Sequence, residues 1–61
     1  MFEAIVLFAM EVCADSRNQA GCHHWLHNCM VNELATQQRF DFDDSGERCI
    51  ETMPREIWPR G

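Results

Sequence analysis

Nine consecutive residues, Gly21 to Cys29 (GCHHWLHNC), hold two of the four cysteines and all three histidines of the 61-residue chain. Thiols and imidazoles at this density suit three kinds of chemistry: disulfide cross-linking, zinc coordination, and the packing of buried thiols. His23 and His27 are four residues apart, so on a helix both rings point the same way, an arrangement that can supply two metal ligands. Zinc wants four N or S ligands in a tetrahedron. At 100° per residue, however, Cys22 and Cys29 lie about 100–160° round a helix from the histidine pair. A zinc site would therefore combine His23 and His27 with sulfurs from elsewhere, Cys13 and Cys49. No CxxC knuckle is present.

The disulfide reading uses the same sulfurs. Seven residues of helix separate Cys22 from Cys29 by about 10 Å of rise, whereas a disulfide needs Cα atoms within roughly 7 Å. Two pairings then survive: Cys13–Cys22 with Cys29–Cys49, or Cys13–Cys29 with Cys22–Cys49. The first is simpler, because a short loop brings Cys13 to the start of the helix. The third reading leaves the cysteines as small core hydrophobes. A thiol at Cys22, near a helix N-terminus, would also be more readily ionised than a free one.

The element that must position these residues is an amphipathic helix. Cys22, Trp25, Leu26, Cys29 and Met30 recur at helical spacing, with Leu34 along one edge and Glu33 interrupting the stripe. Its expected span is 22–39. Ser16 and Gln19 have capping-box spacing ahead of it. Upstream, Phe2, Ala4, Val6, Phe8, Met10 and Val12 form an apolar face at period two, and Ile5, Val6 and Val12 favour a strand over 2–12. Ala, Leu, Met and Glu in the same stretch suit a helix almost as well. Downstream, Phe40 and Phe42 alternate with polar residues, and DDSG (43–46) carries turn-forming types with Gly46 free to adopt positive φ. Strands at 39–42 and 47–53 would close a hairpin that Pro54 stops. The expected fold is α+β, one helix on a small, mostly antiparallel sheet; an all-α domain is the alternative. Residues 1–53 form the domain and 54–61 a Pro-bounded tail.

DFDDSG (41–46) also resembles the first half of an EF-hand loop, which implies calcium bound by acidic oxygens. The second half departs from that pattern: Arg48 stands at an aliphatic position and Thr52 where a bidentate Glu belongs.

Composition narrows the function. Ten acidic residues face five arginines and no lysine, for a net charge of −5. That excludes nonspecific nucleic-acid binding, which needs cations to displace counterions, and disfavours anionic membranes. No apolar run approaches the roughly 18 residues of a membrane span, and no secretion signal is evident, so the default location is the cytoplasm. A chain this small can hardly form both a core and a catalytic pocket of about 300 Å³. The expectation is a non-enzymatic, acidic module that binds a partner protein and needs no cofactor, with a small zinc domain as the alternative. Trp58 and Ile57 in the tail are the candidate partner-binding residues, because exposed tryptophan is a favoured interface anchor. A homodimer would be a second way to complete a marginal core. Small acidic chains of this type are common in phages and mobile elements, where they act on host proteins.

Overall fold

The computed structural model describes residues 2–59. The domain and tail limits at residues 1, 60 and 61 lie outside that range. Helix α1 spans Phe2–Val12 and runs into a 3-10 turn at Cys13–Asp15. Helix α2 spans Gln19–Thr36, helix α3 spans Phe42–Glu51, and a second 3-10 turn occupies Arg55–Ile57. The described residues contain no strand. The fold is therefore all-α, and the expectation of a helix on a sheet is overturned.

The expected strand over 2–12 is helix α1. The buried residues decide between the two periods. Ile5, Ala9 and Cys13 are buried, while Phe2, Ala4 and Met10 of the supposed apolar strand face are exposed. Burial at every fourth residue is the signature of a helix. Helix formers outnumber the three β-branched residues, whose penalty of a few tenths of a kcal/mol each is easily overridden by packing.

The expected hairpin over 39–42 and 47–53 is likewise absent. Asp41 caps α3: its Oδ1 accepts from the Asp44 backbone N–H at 3.2 Å. Asp43 and Asp44 lie in the first helical turn, where carboxylates favour the helix dipole. The residue types that mark a turn are also those that start a helix, because both let a short side chain accept from the backbone. The same fact removes the calcium-loop resemblance. Phe42 to Gly46 are helical, not wrapped around an ion.

Helix α2 begins three residues earlier and ends three earlier than the expected 22–39. Asn18, not Ser16, is its N-cap, accepting from Gly21 N–H at 2.9 Å. Ser16 is instead buried. Its hydroxyl donates to the Ile57 carbonyl at 2.9 Å and accepts from Asn18 N–H at 3.2 Å, fastening the tail to the α1–α2 corner.

Helix α2 is the central element, with α1 and α3 both packed against it. The core is built from rows at spacing four: Ile5 and Ala9 of α1 continued by Cys13 of the 3-10 turn; Cys22, Leu26 and Met30 of α2; and Ser45 and Cys49 of α3 continued by Met53 just past its end. Phe8 bridges from α1 to α3, its ring meeting that of Phe42 edge to face at 5.2 Å. A Cβ built on Gly46 would come within 2.8 Å of Phe8 Cζ. Gly46 is therefore needed for close approach. Its φ is not positive, so the conformational role expected of it in a turn does not exist.

Candidate interaction surface

The sulfurs pair as Cys13–Cys22 and Cys29–Cys49, with Cα separations of 5.7 and 5.9 Å. Helix α2 presents Cys22 near its start and Cys29 two turns further along the same stripe, and the two bridges tie it to different neighbours. One fixes the end of α1 and the other fixes α3. Beside the second bridge, the Trp25 indole N–H donates to the Cys49 carbonyl at 3.2 Å. Glu33, which the apolar stripe made look misplaced, spans the same helix pair. Its Oε1 accepts from Arg48 Nη2 at 2.6 Å and from the buried Ser45 hydroxyl at 3.2 Å. The hydrogen bond from Arg48 is the main cause that holds the Glu33 carboxyl below its ordinary value; partial desolvation opposes it. Arg48 also pairs with Asp44 at 2.9 Å. No sequence period signals the contacts of Glu33, because Ser45 and Arg48 lie 12 and 15 residues from it.

With every cysteine bridged, Cys13 and Cys49 offer no thiolate to zinc. His23 and His27 do lie together, their rings 6.2 Å apart and nearly parallel. The Nε2 of His23 is shielded from solvent and has no hydrogen-bond partner among the described residues. His24 is exposed, with its Nε2 3.0 Å from Asn28 Nδ2. Among the described residues, no three His, Cys, Asp or Glu side chains converge as a metal site would require.

The tail candidates are held close to the body. Ile57 is half-buried against the core. Trp58 remains 37 % exposed, yet its indole N–H donates to the Met53 carbonyl at 2.6 Å. Arg55 lies over its ring at 5.8 Å. Trp58 is thus a partly covered cap with one ring surface available.

A larger apolar surface lies on α1, where sequence reasoning placed a strand. Phe2, Leu7 and Met10 are 58, 57 and 57 % exposed. At 100° per residue, Phe2, Val6, Met10 and Leu7 span an arc of about 140° that begins beside Ala9 and turns outward through Met10 to Leu7, opposite Ala9, with Glu3 inside it. Val6 and Met10 also line an open groove of about 540 Å³ whose far wall includes Ala20 and His23 of α2. The signal that could have found this surface is present in the sequence: as a helix, 2–12 is apolar all round, and one neighbour can cover only one side.

No described helix is long and apolar enough to cross a membrane. No protein-family model, curated protein or solved structure matches the chain.

Proposed function

We propose that this protein is a small acidic helical module, stapled by two disulfides, that acts by binding a partner protein and has no catalysis of its own. The observation that carries the reading is the exposure of Phe2, Leu7 and Met10 on a helix whose opposite side forms the core. Single exposed hydrophobes are ordinary, but contiguous apolar surface rimmed by polar groups marks an interaction site. Trp58 is the secondary contact. The two disulfides favour action in an oxidising compartment over the reducing cytoplasm.

Zinc binding is the second reading, supported by the parallel His23–His27 pair and the unpartnered His23 nitrogen. It needs ligands other than the bridged sulfurs. A zinc titration followed on the imidazole NMR signals separates it: saturable shifts at His23 and His27 favour it, and unmoved signals remove it.

The test of the main reading is photo-crosslinking from position 7 in extracts of the source cells, followed by calorimetry with the purified, identified partner. Saturable binding is expected, weakened about tenfold or more by Leu7→Ser with Met10→Ser, that is by at least about 1.4 kcal/mol. A purified candidate that shows no saturable binding to the oxidised chain would sink the reading.

A further inference from the structure

We infer that the outward side of α1 receives an amphipathic helix of the partner protein whose apolar stripe is flanked by lysine or arginine. This rests on the protein-binding reading and names the chemistry of the occupant.

Two features of the surface point there. The first is shape. The exposed side chains of Phe2, Leu7 and Met10 stand on a ridge, and at Val6 and Met10 the ridge passes into the concave groove shared with Ala20 and His23. A helix laid along α1 can set one row of side chains over the ridge and another in the groove, the helix-in-groove mode of recognition. Met10 stands at the junction, and its unbranched thioether adapts to different neighbours.

The second is charge. Glu3, Glu11 and Asp15 are exposed along this side, and residues 2–16 contain no Arg or Lys. The charged side chains that α1 itself brings to this surface are therefore all negative, and Arg17, in the loop after Asp15, is the nearest cationic side chain along the sequence. A second copy of this chain fits poorly. A parallel pairing sets Glu3 by Glu3 and Glu11 by Glu11, an antiparallel one sets Glu3 by Glu11, and each copy carries a net −5. Like charges juxtaposed at an interface cost several kcal/mol. A basic-flanked helix meets the same rim with opposite charge, which speeds association and makes it sensitive to salt.

The experiment uses the oxidised, 15N-labelled full chain and two synthetic helical peptides of about four turns. Both carry one leucine stripe; one is flanked by lysine and the other by glutamate. The expected result is chemical-shift change centred on α1 and the groove, with the lysine peptide binding about tenfold or more tightly than the glutamate peptide. That preference should shrink as salt rises from about 0.02 M to about 0.5 M. Leu7→Ser with Met10→Ser should weaken the lysine peptide about tenfold, and an unchanged amide spectrum away from α1 shows that this variant folds. Equal binding of both peptides, shifts centred on Trp58, or no binding overturns the inference. So does self-association of the chain at this face, or binding of zwitterionic lipid vesicles in place of peptide. None of these results touches the protein-binding reading, which stands or falls on the purified partner.

Discussion

Helices α1 and α3 are of nearly equal length, eleven and ten residues, and flank the same central helix, yet they are held by different physics. Helix α3 is mostly polar. Its buried row is Ser45, Gly46 and Cys49, and it is secured by a disulfide, the Glu33–Arg48 ion pair and the Trp25 hydrogen bond. These bonds have direction and fixed partners, so α3 has one place to sit. Helix α1 is apolar on nearly every side and takes part in no ion pair among the described residues. Burial of Ile5 and Ala9 holds it, with the Cys13–Cys22 bridge at its end. Hydrophobic attraction has no direction and scales with area. It fastens the inner side of α1 and leaves equally apolar material facing out. The clamp-like helix is thus the structural one, and the loosely specified helix carries the surface left for a partner.

The largest expected effect tests the clamps directly. Cross-links closing 9 and 20 residues remove loop entropy worth about 2.5 and about 3.3 kcal/mol respectively. A chain of this size has a total stability of roughly 3–9 kcal/mol. Cys29→Ala with Cys49→Ala should therefore remove roughly a third or more of the stability and move the urea midpoint correspondingly toward zero denaturant, and Cys13→Ala with Cys22→Ala should be slightly milder. The reverse order would make the α1 corner, not α3, the principal anchor.

A middle-sized effect is expected where the two helices touch. Gly46→Ala gains up to about 1 kcal/mol of helix propensity. It also drives a methyl into the Phe8 ring, a clash that costs about 1–3 kcal/mol. The net expectation is a loss of about 1 kcal/mol, read as a lower thermal midpoint and reversed in sign when Phe8→Leu makes room. If Gly46→Ala stabilises the otherwise unchanged protein, Phe8 yields freely and the α1–α3 contact is softer than its geometry shows.

The smallest effect separates the helices by pH. Glu33 titrates below its ordinary value of 4.5 because Arg48 donates to it. A lowered folded value means that the carboxylate's contribution is fully present above the unfolded value and is lost as pH falls through the folded one. Thermal midpoints measured from neutral pH down to the acid range should decline across that window. Glu33→Gln should flatten this part of the profile, since the amide does not titrate. An identical acid decline in the variant would show that the ion pair adds nothing to the hold on α3.

Much of the site chemistry was readable because it is local. The spacing of Cys22, Leu26, Cys29 and Met30 implies a helix, and helical rise alone forbids a Cys22–Cys29 bond, leaving two pairings of which the structure adopts the simpler. Residues 2–12 were harder, since an all-apolar segment satisfies period two and period 3.6 alike. Asp41 to Gly46 misled for a different reason: turn and helix-start signals share a vocabulary. The Glu33–Arg48 pair and the Phe8–Gly46 contact join residues distant in sequence, and no local pattern announces them.

The sequence by itself determined the acidic charge, the central amphipathic helix and the short list of permissible disulfides, because net charge is additive and helical geometry relates only near neighbours. Tertiary structure alone decided that the flanking segments are helices, which side of α1 faces out and that Gly46 must be bare. Those outcomes depend on what each segment packs against, and a segment that is apolar all round carries no internal mark of which side will be covered.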